Sequence, residues 1–458
     1  MSGPSFSGSI INPERPLLIT EPTLSAAGTN AMRRRWWFLL PAVFVTYSLA
    51  YLDRVNYGFG AAAGLAQTLH ITERQSSLLG ALFFLGYFLF QVPGVVLARK
   101  TSARALIFAS LFSWGLLAAA TGIVRSFATL ALIRFLLGVA ESFIFPAMLM
   151  VLTRWFTRSE RSRANSLLIL GNPITVLWMS SATGYLIQAF GWQKTFVLEG
   201  MPSVIWAFIW LLLIRDEPRK ARWMPTEAVA ALEAKLASEE TIQPRNTGLM
   251  AVFTRPDVVI LAAAYFFWSL GIYGFVLWLP TIVKQGAALS MGRTGLLSSL
   301  PYVVAIPAML IVAHRSDKTL RRRHWVWPFL LTGGLALLVS FATHSFPIAF
   351  TGLIIAGACM YAPYGPFFAL VPERVPRNVA GEVLALINST GALGGFVGAY
   401  FVGWAQAVTG GPKAGFLSMA LALVCSALLM LVVGRIRPSL NSIPDMQLPH
   451  ESSTVAKA

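Results

Sequence analysis

Hydrophobic residues in this chain fall into long, nearly unbroken runs rather than the two-residue alternation of a half-buried strand or the 3.6-residue stripe of a surface helix. About a dozen such runs recur, over 34–60, 74–98, 104–124, 127–153, 163–189, 196–214, 258–284, 291–313, 325–343, 346–370, 380–407 and 414–434. Each is close to the ~20 residues that a helix needs to cross ~30 Å of hydrocarbon. The pattern predicts an all-α integral membrane protein of twelve transmembrane helices. The first run begins after some thirty mostly polar residues and no small-residue cleavage site follows it, so a retained helix is expected rather than a signal peptide.

The polar segments divide the chain. Residues 1–32 are rich in Pro, Ser and Gly and are expected to form a disordered cytoplasmic tail. A six-helix bundle is expected over 33–214, a linker over 215–256, a second six-helix bundle over 257–436 and a cytoplasmic tail over 437–458. The linker is the only long polar stretch and carries Pro218, Pro225 and Pro244. Within it Val229, Leu232 and Leu236 follow helical spacing after Thr226, which predicts a short amphipathic helix on the membrane face. The halves echo each other. Arg161 precedes Asn172 as Arg377 precedes Asn388, by 11 residues in each case, and the offset between the pairs is 216. Arg99-Lys100 finds its counterpart in Asp317-Lys318, 218 residues on. Such repeats predict two pseudo-symmetric bundles around a central cavity at the midplane.

Charge then fixes the orientation and removes other classes. Only 12% of residues are charged, about half the share of a soluble domain. The formal net charge of +17 could suggest nucleic acid, but its placement argues otherwise. Of the 36 Lys and Arg, 28 fall in the tails and in the connections on the side of the N-terminus, six on the other side, and Arg54 and Arg134 within helices. By the positive-inside rule both termini are cytoplasmic, in a multi-pass protein of the cell inner (plasma) membrane. No nucleic-acid reader module is present. The two cysteines, Cys359 and Cys425, lie in apolar runs, and the five histidines are scattered. No nucleophile, metal or nucleotide motif appears, so neither an enzyme nor a cofactor or metal is expected. Gly391-Ala-Leu-Gly394-Gly395 follows no strand and reads as close helix packing. The chain is expected to act as a monomer in the lipid bilayer.

Two pairs of charges sit inside the apolar runs: Asp53-Arg54, and Arg134 with Glu141. A charge at membrane depth costs at least a few kcal/mol, so each is expected to face a partner, a cavity or a ligand. Arg134 and Glu141 are seven residues apart and therefore share a helix face, about 10 Å apart. Planar guanidinium forks match carboxylates. Arg54 and Arg134 are thus expected to clamp a small anionic substrate, while Asp53 and Glu141 carry protons. The anion competes with the carboxylate for the guanidinium, and the displaced carboxylate takes a proton. Glu199 is placed at the outer start of the sixth helix, leaving Asp53 and Glu141 as the carboxylates at depth. Asn172 and Asn388 are expected to face each other across the cavity and to favour a hydroxylated acid over a purely aromatic one. Tyr87 and Tyr51 are expected to offer hydroxyl contacts. Blander readings stand beside these: a structural ion pair at Asp53-Arg54, an interhelical lock at Arg134 and Glu141, backbone capping at Asn172 and Asn388, and packing at Tyr87. An anion exchanger or uniporter is the rival transport mode; it needs the arginines but not the carboxylates.

Three motifs carry a resemblance to a known family. Ala313-His-Arg-Ser-Asp317-Lys318-Thr-Leu-Arg321-Arg322 is similar to the Gly-x-x-x-Asp-Arg-x-x-x-Arg/Lys connection of the major facilitator superfamily. Tyr51-Leu-Asp53-Arg54-Val-Asn56 resembles the first-helix signature of its anion:cation symporter branch. Arg134-Phe-Leu-Leu-Gly138-Val-Ala-Glu141, with Pro146 and Trp155-Phe156 after it, resembles that branch's fourth helix. The first motif is shared by carriers of many substrates; the second and third together are far more selective. The resemblance covers about residues 33–436 and implies import of an organic anion with protons by alternating access. Its general look is nearest to carriers of sugar acids, such as aldonates or hexuronates, and of tartrate, with an aromatic carboxylate as the alternative. It also implies gating by Asp317, Lys318, Arg99 and Arg104. The chain departs from the family at Arg99, which stands where an aspartate usually helps latch the halves; that shifts the latch towards Asp317.

Overall fold

In hydrocarbon every backbone N–H and C=O must find its partner within the segment, and the long apolar runs meet that demand as helices. A computed structural model describes residues 25–240, 253–287, 289–343, 345–375, 379–409 and 413–433, and among these there is no strand. The first half holds α1 (Ala26–Ala62), α2 (Glu73–Lys100), α3 (Ala103–Thr121) and α4, a bent helix made of Phe127–Ser142 and Ile144–Trp155. A helical stretch over Arg158–Leu213 follows, 56 residues; as one straight helix it would reach ~84 Å, far more than one crossing. Gly191, at φ 77° and ψ 163°, breaks it into α5 before and α6 after. The second half holds α7 (Pro256–Ala287), α8 (Met291–Thr319), α9 (Trp327–Ala342), α10 (Phe346–Tyr361 and Tyr364–Arg374), α11 (Ala380–Thr409) and α12 (Lys413–Val433). Eleven described helices are long and apolar enough to span a membrane, and the break at Gly191 makes the crossings twelve.

The bends in α4 and α10 are counterparts. Each lies just before a proline, Pro146 and Pro366, whose ring clashes with the carbonyl four residues earlier. The first helix begins at Ala26, eight residues before the apolar run at 34, because polar groups hold that extra length. Ser25 caps it, accepting from the Gly28 N–H at 3.1 Å. Arg35 is buried and donates to the Trp155 carbonyl at 2.6 Å and to Glu160 at 2.5 Å. Residues 26–32, expected in the tail, therefore belong to α1; residues 1–24 lie outside the described set. The linker carries a helix over Thr226–Glu240 that buries Ala228, Val229 and Leu232. Trp223, just before it, stacks on Trp155 at 5.9 Å and meets Phe38 at 5.3 Å.

The halves meet where small residues let backbones approach. A Cβ on Gly295 of α8 would lie 2.3 Å from the Ser180 carbonyl oxygen of α5, and one on Gly58 of α1 would lie 2.5 Å from the Leu277 oxygen of α7. Neither position has room for any side chain. On the face opposite the termini, three hydrogen bonds join the halves. Lys284 Nζ donates to the Ala62 carbonyl at 2.6 Å, Arg74 Nε to the Tyr400 hydroxyl at 2.9 Å, and the Gly292 N–H to Gln188 Oε1 at 2.9 Å.

Candidate functional site

A cavity of about 370 Å³ lies between the halves, from the middle of the helices towards the face that carries the termini. From the first half, α1 contributes Tyr47 and Arg54, which are seven residues and two turns apart. Phe83, Phe84 and Tyr87 come from one stripe of α2, and Asn172 from α5. From the second half come Tyr265 and Tyr273 of α7, Tyr364 and Phe368 of α10, and Asn388 of α11.

Among the described residues Arg54 is the one charged side chain in this lining. Its Nε donates to Glu141 Oε2 at 3.0 Å, and its guanidinium carbon lies 4.6 Å from the centre of the Tyr87 ring. Glu141 is fully buried and does not line the cavity, so it holds the arginine from behind. Its second oxygen, Oε1, has no hydrogen-bond partner. Arg134 is also buried, but it is not in the cavity. Its Nε donates to the Leu79 carbonyl at 3.2 Å, and its guanidinium rests 4.6 Å from the Tyr57 ring. Arg54 and Arg134 each stand 5.5 Å from the Phe83 ring centre. The two arginines thus sit around one ring, and only Arg54 faces the cavity. The seven-residue spacing does put Arg134 and Glu141 on one face of α4; that face looks at α1 and α2, and only its Glu141 end is level with Arg54.

Asp53 and Arg54 are neighbours in sequence but not partners. Consecutive helical residues point about 100° apart, so Asp53 faces away from the cavity towards α6. Asp53 Oδ1 accepts from Asn56 Nδ2 at 3.2 Å, and the same Nδ2 is 3.3 Å from Glu199 Oε2. Thr183 Oγ1 donates to Glu199 Oε1 at 2.5 Å. Asp53 Oδ2 and Asn56 Oδ1 are buried without partners. Glu199, placed by the sequence at the outer start of a helix, is only 3% exposed and is a third buried carboxylate of this half. The signal was there: it is a lone acid in the apolar run 196–214, the same criterion that singled out Asp53 and Glu141.

The other expected residues distribute as follows. Tyr87, Asn172 and Asn388 line the cavity, and Asn172 Oδ1 has no hydrogen-bond partner. Tyr51 lies outside the lining and meets the Tyr361 hydroxyl at 3.2 Å, which joins α1 to α10. Asp317 pairs with Arg322, which also reaches Glu373 Oε1 at 3.0 Å; Lys318 is exposed. Arg104 Nε donates to the Leu211 carbonyl at 3.1 Å, within its own half. The side chain of Arg99 lies outside the described set. Asp216 was not singled out. It accepts from Ser102 Oγ at 2.5 Å and from the Arg104 N–H at 2.9 Å, and it stands 3.5 Å from Arg154 Nη1. It thereby supplies, after α6, the acid that the α2–α3 connection lacks. Among the described residues no group of three or more His, Cys, Asp or Glu is placed to hold a metal.

A second space, of about 700 Å³, lies on the opposite face between α1, α2, α7 and α11. Glu73, Lys284, Gln67, Gln285 and Gln406 give it a polar wall unlike that of the central cavity.

Comparison with known proteins agrees with this architecture. Residues 43–399 match the sequence model of the Major Facilitator Superfamily. The chain is 32% identical over 404 residues to the quinolone resistance transporter of Acinetobacter baumannii, covering 86% of this chain and 93% of that protein. It is 32% identical over 421 residues to a protein of Agrobacterium vitis named for tartrate transport, covering 90% and 96%. Among solved structures, a bacterial homologue of the human lysosomal transporter Spinster, in an inward-facing and occupied conformation, superposes with a TM-score of 0.71 at 18% identity, over 89% of this chain and 98% of that one.

Proposed function

From a chain that belongs to the major facilitator superfamily, and is therefore a multi-pass membrane transporter rather than an enzyme, we propose a carrier that moves a small organic anion with protons by alternating access. The basic excess on the side of the termini supports a cytoplasmic location for that face in the inner membrane, so the central cavity would be the one open to the cytoplasm.

The observation that carries the proposal is the placement of Arg54 between the cavity and Glu141. Arg54 offers the one positive charge among the cavity's described lining residues, and Glu141 neutralises it from behind at 3.0 Å. An incoming carboxylate shares or takes the guanidinium. Glu141 is then a buried anion with a weakened counter-charge, which a proton relieves. Release of the anion returns Arg54 to Glu141 and expels the proton. Asn172, Asn388 and Tyr87 orient the rest of the substrate. Arg134, tied to the Leu79 carbonyl and the Tyr57 ring, holds α2 and α4 in register with α1.

Asp53 and Glu199 form a second proton-holding group behind α1. Both carboxylates draw on one amide nitrogen, and the distances of 3.2 and 3.3 Å keep the two oxygens within about 6.5 Å of each other. Arg134 and Glu141 also act electrostatically on Asp53. Among the described residues no arginine or lysine bonds to either member of the pair, so a proton shared between them is the arrangement with the least uncompensated charge. Movement of α1 carries Arg54 on one face and Asp53 on the other, which links binding to this group. Asp317, Lys318, Arg99 and Arg104 would act at the cytoplasmic gate, the first through Arg322 and Glu373.

Proteoliposome transport with and without an imposed pH gradient tests the coupling. The expected result is accumulation only with the gradient, and Glu141→Gln that still exchanges substrate across the membrane but no longer accumulates it. Glu199→Gln should lower the ratio of protons to substrate. Full gradient-driven accumulation by Glu141→Gln would rule the mechanism out and leave exchange or facilitated diffusion as the better account.

A further inference from the structure

The central cavity carries a chemical bias that the coupling argument does not use. Nine of its 21 lining residues are aromatic, nine are aliphatic or glycine, and three are polar: Arg54, Asn172 and Asn388. The rings lie on both sides. Phe84 of α2 and Tyr273 of α7 meet across the halves at 4.4 Å. Tyr364 and Phe368 of α10 stack at 6.0 Å and 21°, and Tyr265 meets Phe368 edge-on at 5.3 Å. Tyr87 supports the guanidinium itself. The space on the opposite face lies between several of the same helices, yet it is walled by Glu73, Lys284 and three glutamines. Aromatic lining is therefore a property of the central cavity and not of the interface between the halves.

We infer that the carried anion is a monocarboxylate with a flat aromatic body, and that neither a polyhydroxylated acid nor a dicarboxylate fits this site. This rests on the proposed anion carriage through Arg54. Two features decide it. First, charge: among the described residues Arg54 is the single cation of the lining, Glu141 already engages it, and Arg134 is turned away onto Leu79 and Tyr57. One carboxylate is balanced when Glu141 takes a proton; a second would be buried with no counter-charge. Second, hydrogen bonding: a chain with a hydroxyl on every carbon must regain in the cavity each bond it gives up to water. Among the described residues no carboxylate lines the wall to accept from such hydroxyls, and two asparagines and the tyrosine hydroxyls are the remaining polar ends. A ring instead finds faces and edges at the 4.5–7 Å separations that aromatic pairs prefer. Asn172 and Asn388 then serve one or two ring substituents rather than a row of hydroxyls, which reverses the preference read from those residues in the sequence.

Four compounds separate the two features: benzoate, phthalate, gluconate and tartrate, which pair a ring or a hydroxylated chain with one or two carboxylates. The full chain, purified, is assayed with each by thermal stabilisation in detergent and by gradient-driven accumulation in proteoliposomes, with protein-free liposomes subtracted. Benzoate should bind and accumulate at concentrations at least tenfold below gluconate and tartrate, with phthalate weaker than benzoate. Phe368→Leu, which keeps apolar bulk and removes the ring, should weaken benzoate about tenfold while leaving the unliganded melting temperature near wild type. If Phe368→Leu misfolds, the four-compound ranking on the wild-type chain still decides. Gluconate or tartrate accumulating as well as benzoate would overturn the inference and leave the coupling proposal standing. Benzoate that binds tenfold better but exchanges without accumulating would uphold the inference and count against proton coupling. If none of the four binds or moves, both fall.

Discussion

Among the described residues of the first half, five charged side chains besides Arg35 near the start of α1, namely Asp53, Arg54, Arg134, Glu141 and Glu199, are buried among α1, α4 and α6. The matching interior of the second half holds tyrosines instead: Tyr265, Tyr302, Tyr361 and Tyr364 are all buried there. Its one buried described carboxylate, Asp257, sits at the end of α7 and is paired with Arg255 at 2.9 Å. The two halves share helix number, bends and connections, so the repeat has kept the frame and not the chemistry. Physically this division is economical. Each buried charge needs a partner within reach, and gathering them in one bundle lets them serve one another. The other bundle is free to present an apolar wall that moves without breaking ion pairs. Coupling would then be a property of the first half, while the aromatic wall that sets selectivity would be shared, five of its nine described rings coming from the first half and four from the second.

The largest expected effect that could break this division is at Arg54. Arg54→Ala should abolish uptake, by at least about 100-fold, because it removes the cavity's cation and strands Glu141, a loss worth roughly 3–5 kcal/mol. Uptake and thermal unfolding measured together check this; near-normal uptake would move recognition out of the first half. A smaller effect sharpens the comparison within that half. Arg134→Lys loses the Nε bond to Leu79 and the flat contact with Tyr57. It should lower stability by about 1–2 kcal/mol while leaving substrate affinity within about twofold. Arg54→Lys, by contrast, should cost affinity at least about tenfold. If the two lysine variants behaved alike in a binding assay, both arginines would belong to one clamp after all.

The smallest effect compares the two surface latches. The side chain of Asp216 is 14% exposed and that of Asp317 is 68% exposed. Asp216→Asn should therefore cost about 1 kcal/mol through its capping of α3 and its contact with Arg154. Asp317→Asn should leave the melting temperature unchanged and alter only transport. Equal losses of stability in the two variants would show that the halves do not differ at this end of the helices.

The sequence was most readable where one residue's chemistry sufficed. Twelve crossings follow from run length alone, since hydrocarbon thickness fixes helix length, and α5 and α6 are separable in sequence as two runs, which the non-helical Gly191 divides in the structure. Charges within apolar runs marked Arg54 and Glu141, and the same rule reaches Glu199, which its position near a run's start concealed. Helical spacing also put Asn172 and Asn388 at matching depths, and both line the cavity.

What the sequence could not carry was direction across the bundle. Spacing along a helix says which residues share a face but not which neighbour that face meets. Arg54 and Arg134 look alike as lone arginines in apolar runs; only the packing of α1, α2 and α4 turns one to the cavity and the other to a carbonyl. Asp53 is adjacent to Arg54 along the chain, yet the 100° step of the helix gives it to Asn56 and Glu199 on another side. Likewise, in a chain with 31 Phe, 14 Trp and 11 Tyr, no ring announces itself as a binding wall. The sequence by itself determined the membrane, the repeat, the charges at depth and the class of carrier, because these depend on burial cost along one helix. The tertiary structure alone decided which charge faces the cavity and which rings line it, because both depend on how separate helices rotate against one another.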